Sequence, residues 1–175
     1  VVNVVTRAAA PGAWGAEIAA GSFETFGASA EGSVGLGGFS LFAAAGADAT
    51  SGRYPFLFDP EPSDPTNEPS PAHRENNAAL RGGALAKLGG VLGQARLDAL
   101  LQVSAGEREI PAQAPRLDAA TSDRQEDGRV LAAARLVRLG LARGLDVGGL
   151  FRARVDWLDV EIAPMPLARQ RGARL

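Results

Sequence analysis

Polar and apolar residues alternate with a period of two through residues 94–108 of this chain. One set of alternate positions is mostly polar and includes Arg96 and Asp98, whereas the set between them is apolar and includes Leu97 and Leu101. Successive side chains of a β-strand point to opposite faces of the sheet. The alternation therefore predicts a strand with one polar face and one apolar face.

The same alternation recurs along the chain. Residues 144–158 set Asp146 and Arg152 against Val147 and Phe151. Three shorter stretches show the same alternation. The polar residue Glu17 alternates with Ile18 and Ala20; Ser29, Glu31 and Ser33 alternate with Ala28, Ala30 and Val34; and Arg81 and Lys87 alternate with Leu80, Ala84 and Leu88. Such repeats over about ten residues are typical of transmembrane β-barrels.

An amphipathic helix is the competing interpretation of the two middle blocks. Leu97, Leu100 and Leu101 also fit the i, i+3, i+4 spacing of a helix face. Glycine opposes this interpretation, because each glycine costs about 1 kcal/mol in a helix interior. These blocks contain Gly82, Gly83, Gly89, Gly90 and Gly93, and Gly140, Gly144, Gly148 and Gly149. We therefore predict strands and an all-β fold.

The eleven prolines lie in only four places: residue 11, residues 55–71, residues 111–115 and residues 164–166. Proline cannot donate a backbone hydrogen bond to a sheet, so we predict loops there. The intervening blocks contain only short glycine-bearing breaks, at residues 21–25, 35–38, 89–93 and 140. Long loops that alternate with tight turns predict an antiparallel up-and-down transmembrane β-barrel segment of about seven strands.

Composition excludes several classes of function. The 18 basic and 20 acidic side chains nearly balance, so no nucleic-acid partner is expected. The chain has no cysteine and a single histidine, His73, which excludes zinc sites and catalytic relays that need more of these residues. No apolar run reaches the roughly 18 residues of a membrane-spanning helix. We find no nucleophile-and-base arrangement and no phosphate loop, and predict neither an enzyme nor a cofactor.

The opening residues carry a family resemblance. Residues 1–7, VVNVVTR, resemble the closing strand of the plug domain in TonB-dependent outer-membrane receptors, where a segment of the form GG-V-[VI]-N-[IV]-[IV]-T-[RK] immediately precedes the barrel. Residues 13–23, 26–34 and 39–52 resemble the first three barrel strands in order. Arg74, Glu75, Asn76 and Asn77 resemble the return into the fourth strand, and residues 115–118 and 125–127 resemble the loop before the sixth.

The resemblance implies a domain division and a function. Residues 1–10 would end the plug domain, and residues 11–175 would form the N-terminal part of a barrel of about 22 strands. The intact protein would take up a siderophore-bound metal or cobalamin across the outer membrane of a Gram-negative bacterium. Its partners would be outer-membrane lipid, its own plug, the ligand and the TonB complex of the inner membrane.

The same resemblance makes the chain a fragment. We expect the reading frame to continue upstream into a plug with a TonB box and downstream into further strands. Residues 164–175 would begin another extracellular loop. By itself such a fragment should not transport.

Orientation in the membrane follows from loop length and side-chain polarity. Leu97, Ala99, Leu101 and Val103 are expected to face lipid, and Arg96, Asp98 and Gln102 the lumen or plug. Residues 53–77 and 110–125 are expected outside the cell, and residues 35–38, 89–93 and 139–143 in the periplasm.

The loop at residues 53–77 is the candidate ligand-binding segment. It carries Tyr54, Phe56 and Phe58 near its start and His73 and Arg74 near its end. Aromatic groups on a stiff, proline-rich arm suit the recognition of a chelate above a barrel mouth. The alternative is that the three aromatic residues belong to the interfacial girdle or pack the loop against its neighbours.

Four carboxylates in this loop, Asp59, Glu61, Asp64 and Glu68, raise the question of calcium. Their spacing lacks the D-x-D-x-D-G order of a dedicated calcium loop, so a solvated acidic loop is the favoured interpretation and no metal site is predicted.

A soluble all-β binding or adhesion module remains the alternative function. Its two sheets would pack apolar faces against each other, which requires bulky Val, Ile, Phe and Leu on both inner faces. Many apolar-face positions here are alanine or glycine, which favours a wall facing lipid.

Overall fold

The computed structural model describes residues 12–59, 66, 68–111, 123–162 and 168–174, the last of these as backbone only. The predicted plug segment at residues 1–10 lies outside the described residues, as do Glu61 and Asp64. Strands are the only regular elements in the described part of the chain. None of the described segments is a helix long and apolar enough to cross a membrane.

Eight strands form one antiparallel sheet in which neighbours along the chain are neighbours in space. The strands are β1 (Trp14–Gly21), β2 (Thr25–Leu36), β3 (Phe39–Thr50), β6 (Ala79–Leu92), β7 (Ala95–Glu109), β8 (Arg124–Ala142), β9 (Leu145–Glu161) and β10 (Ala168–Arg174), paired in that order. Two short strands, β4 (Pro55–Phe58) and β5 (Ser70–His73), form a separate ribbon between β3 and β6. The all-β prediction is confirmed, and the helical interpretation of the middle blocks is wrong.

The strand register confirms the two predicted faces. Asp98 lies opposite Gly89 of β6 and Arg135 of β8, whereas Leu97 lies opposite Gly90 and Leu136. Directly opposed residues of an antiparallel pair lie on the same face of the sheet. The alternate residues of one strand therefore continue into alternate residues of the next strand, and each set forms one continuous surface. We call these surfaces the polar face, which contains Asp98, and the apolar face, which contains Leu97.

The apolar face contains no charged side chain over most of its height. It is formed by alternate residues from 14 to 20, 26 to 36, 39 to 49, 80 to 92, 95 to 105, 128 to 136 and 145 to 157. Every one of these residues is apolar or glycine. The alternate residues on the other side of the sheet include charged side chains on each of these seven strands.

The described residues form no hydrophobic core. No hydrophobic side chain among them is buried, and large ones such as Trp14 and Ile18 are 83% and 87% exposed. All contacts between described strands join hydrogen-bonded neighbours, so no second layer packs on the sheet. The apolar face therefore lacks any partner within this part of the chain.

Tight turns and long connections lie at opposite ends of the sheet. Two-residue turns at residues 37–38, 93–94 and 143–144 join strands at one end, which we call the turn end. A three-residue turn at residues 22–24 and the connections after β3, β7 and β9 lie at the other, the loop end. This is the predicted alternation, although the turns after β6 and β8 were placed too early.

The glycines before the turn after β6 serve packing. Gly89 and Gly90 lie inside β6, and the turn begins at Gly93, whose φ of 61° suits glycine. A side chain on Gly90 would collide with the ring of Phe39 on the neighbouring strand. Gly128 makes room for the indole of Trp157 in the same way. The aromatic ring across the neighbouring strand thus explains Gly90, which sequence alone assigned to a break.

Two other predicted loops contain strands. Pro55 lies opposite His73 and Pro71 lies opposite Leu57, in a ribbon whose only strands are edges. The Arg74 amide donates to the Tyr54 carbonyl at 3.0 Å. Hydrogen-bonded pairs therefore alternate with the pairs that contain the prolines. Proline is tolerated at these positions because they need no backbone donor. Within residues 164–175, predicted as the start of a loop, β10 returns and pairs with β9.

Candidate functional site

The β4–β5 ribbon arranges the predicted aromatic residues in a ladder. The ring centroids of Tyr54 and Phe56 are 6.5 Å apart, and those of Phe56 and Phe58 are 6.4 Å apart. Phe23, from the turn between β1 and β2, extends the ladder with an edge contact to Tyr54 at 5.7 Å. Such tilted and edge-on geometries are the favourable ones for aromatic pairs. The ribbon is therefore anchored over the loop end of β1 and β2.

The two basic candidates in this loop lie differently. His73 is exposed and lies opposite Pro55, hence on the other side of the ribbon from Phe56. Arg74 is half-buried and adjoins Tyr54 through its backbone hydrogen bond. The Nε of Arg74 is buried without a hydrogen-bond partner among the described residues. The structure thus brings Arg74 to the aromatic ladder and separates His73 from it.

The base of the loop is held by side-chain amides. Asn76, with a φ of 55°, donates to the carbonyl oxygens of Ile110 at 2.7 Å and Asp123 at 3.1 Å. Asn77 donates to the carbonyl of Gly52 at 3.1 Å. Gly52 is buried, and a side chain there would collide with the Asn77 backbone. The Arg-Glu-Asn-Asn segment therefore joins the bases of two successive long connections.

An exposed ion pair lies beside these amides. Arg53 donates to Glu75 at 3.0 Å. The hydrogen bond that Arg53 donates to Glu75, and then the negative charge of Glu75, raise the pKa of Arg53. The two side chains are 60% and 44% exposed, so the pair contributes little to stability.

The acidic side chains of the loop do not assemble a metal site in the part of the chain that the structure describes. Asp59 and Glu68 are described, and no group of three potential ligands within reach of one cation occurs among the described residues. Calcium binding by the four-carboxylate set stays untested.

A charge network on the polar face was missed by sequence reasoning. Asp156 accepts from Arg154 at 2.6 Å on its own strand and from Arg129 at 2.7 Å on β8. Arg96 and Asp98 pair at 3.1 Å on β7. Alternation predicted that Arg154 and Asp156 share a face, but the partner on β8 depends on the register between strands. Only the paired sheet brings Arg129 opposite Asp156.

Comparison with known proteins adds no relative. No protein-family model, curated protein or solved structure matches this sequence. Its function must therefore be argued from the sheet, its two faces and the loops.

Proposed function

We propose that this chain forms part of the wall of a TonB-dependent receptor in the outer membrane of a Gram-negative bacterium. The observation that carries the proposal is a sheet whose apolar face extends over seven strands, with no hydrophobic core among the described residues. In water such a face lacks the burial that stabilises a fold, whereas in lipid it needs no further cover.

The height of the apolar face matches a bilayer. On β7 it runs from Ala95 to Ala105, and a strand of this length tilted by about 45° spans roughly 25 Å, close to the apolar band of outer-membrane barrels. Charges follow at once on the loop-end side, where Arg124 pairs with Glu107 at 2.9 Å and Glu126 at 3.0 Å. These groups would lie at the level of the lipid headgroups.

The sheet alone does not close. β1 and β10 are its two edges and are not paired with each other in the described sheet. Unpaired backbone groups cost several kcal/mol each in lipid, which excludes open edges there. In the proposed receptor further strands complete a barrel of about 22, its plug fills the lumen beside the polar face, and the TonB complex acts on the plug.

The aromatic ladder is the proposed contact for ligand. Tyr54, Phe56 and Phe58, with Arg74 beside them, would lie above the barrel mouth and bind a siderophore-bound metal or cobalamin. The T-shaped contact of Tyr54 with Phe23 and the contacts between successive rings hold the ladder in place before ligand arrives, which lowers the entropic cost of binding. The proposal assigns transport, and no catalysis, to the protein.

Removing the ladder should impair uptake more than it impairs assembly. We expect the double variant Y54A/F56A to lower uptake of the cognate chelate at least about tenfold, since each lost aromatic contact weakens binding. Growth on a panel of iron siderophores and cobalamin measures this. Leu57→Ala is the matched control, because Leu57 lies on the other side of the ribbon and is 72% exposed. Normal uptake by Y54A/F56A would mean that the ladder does not take part in ligand recognition.

Membrane orientation can be tested with single cysteines, since the natural chain has none. On intact cells a membrane-impermeant maleimide should label Ser70→Cys, in the β4–β5 ribbon, and leave Gln94→Cys, in the turn after β6, unlabelled. Permeabilised cells provide the control, in which both sites should react. Labelling of Gln94→Cys but not Ser70→Cys on intact cells would reverse the topology and contradict the proposal.

A further inference from the structure

The polar face contains a cavity near the turn end. Its volume is about 780 Å³, and it is lined by residues of β3, β6, β7, β8 and β9 and the turn between β2 and β3. Cavities of 300–1,000 Å³ are the usual size of small-molecule sites. It lies at the opposite end of the sheet from the aromatic ladder, so the two surfaces are separate.

The charge of this cavity is strongly positive. Lys87, Arg96, Arg135 and Arg152 line it with Asp98, so four cationic side chains face one carboxylate and three positive charges are in excess. Asp98 is already paired with Arg96 at 3.1 Å. Arg135 and Arg152 make no ion pair with any described residue and are exposed to solvent. The cavity thus offers two guanidinium groups to an anion.

These guanidinium groups come from neighbouring strands at fixed positions. Arg152 lies opposite Ala133, two residues along β8 from Arg135 on the same face. Such diagonal neighbours are within reach of each other's long side chains. Guanidinium groups bind carboxylates and phosphates through paired hydrogen bonds, which favours an anion with two or three acceptor oxygens.

The floor between the charges is apolar. Phe42, Leu100 and Leu150 line the same cavity and lie on the polar face in register with Lys87, Ala133 and Arg135 respectively. A ligand that matches the cavity therefore carries an apolar body as well as its anionic group.

We propose that this cavity binds a small organic anion, with a carboxylate or phosphate held by Arg135 and Arg152 and an aryl or alkyl body against Phe42, Leu100 and Leu150. Lys87 adds long-range attraction from β6. The site depends only on the register of β3 and β6 to β9, so it goes beyond the proposed function and does not require the apolar face to contact lipid.

The test uses the complete 175-residue chain in micelles of an uncharged maltoside, titrated calorimetrically with phenyl phosphate against a blank of empty micelles. We expect saturable binding that R135Q/R152Q weakens at least about tenfold, because charge-assisted hydrogen bonds are lost. Arg81→Gln is the matched control, since Arg81 lies on the same face of β6 outside the cavity. It should bind as the natural chain does.

Two further measurements keep the outcome decisive. R135K/R152K retains both charges and should bind within about tenfold of the natural chain, which separates loss of charge from loss of fold. Inorganic phosphate, which lacks the ring, should bind several-fold more weakly, about the effect of a partly buried apolar group. Any one of three results would overturn the proposal. These are equal affinity of R135Q/R152Q and the natural chain, equal affinity for inorganic and phenyl phosphate, and no saturation above the micelle blank.

Discussion

Leu101→Arg should prevent stable assembly of the protein in the outer membrane, whereas Gln102→Arg should be tolerated. Leu101 lies on the apolar face opposite Ala86 and Ala132, and its neighbour Gln102 lies on the polar face. An arginine on the lipid side near mid-bilayer costs about 2 to 4 kcal/mol, or roughly thirtyfold to a thousandfold in the folding equilibrium. The same arginine towards the lumen remains hydrated.

The measurement is the folded fraction in isolated outer membranes, read from heat-dependent migration on gels after expression of the complete reading frame. Because the two positions are adjacent on one strand, expression level, export and strand propensity are matched. Equal folded fractions for both variants would mean that the apolar face does not contact lipid. An additional pair, Val103→Arg and Ser104→Arg, repeats the comparison one step towards the loop end.

Much of this sheet can be predicted from the alternation of polar and apolar residues alone. A strand turns successive side chains to opposite faces, so the alternation around Leu97 and Asp98 predicts both the strand and its two surfaces. Tyr54, Phe56 and Phe58 also lie along one side of the ribbon, although their segment was predicted as a loop. Long alternating blocks are the most reliable of these signals, because no other regular element has a period of two.

Contacts between distant segments were not predictable in this way. Arg129 pairs with Asp156 only because β8 and β9 adopt one particular register. Phe23 joins the aromatic ladder from a turn that is remote in sequence. The return strand β10 has no apolar alternation in its short ARQRGAR sequence, and its place follows from the free edge that β9 presents.

Some glycines and prolines lie in strands where sequence alone predicted turns and loops, and the reasons are opposite for the two residue types. Gly89 and Gly90 looked like a turn, but within β6 the absence of a side chain at Gly90 admits the ring of Phe39. Pro55 and Pro71 looked like loop residues, but they take positions of a two-stranded ribbon where no ladder donor is required. In both cases the structural role of the residue depends on the neighbouring strand.

In water without detergent, the isolated chain should aggregate. Its apolar face extends across seven strands, far more than the few hundred Å² of contiguous apolar surface that soluble monomers usually expose. Its two edge strands also offer unpaired backbone groups to other copies. Sedimentation should place most of the chain in the pellet, whereas in maltoside micelles it should stay dispersed with the circular dichroism of β-structure.

Two double variants on adjacent cross-strand pairs can assign the aggregation to one face. A86K/L101E places an opposed charge pair on the apolar face, and L85K/Q102E places the same pair on the polar face. Both pairs join β6 to β7, and only the first variant should raise the soluble fraction severalfold by interrupting the apolar surface. Equal soluble fractions would mean that edge pairing, and not the apolar face, drives association. Recovery of the natural chain as a soluble, cooperatively unfolding monomer would contradict the lipid-facing wall and favour the soluble binding module.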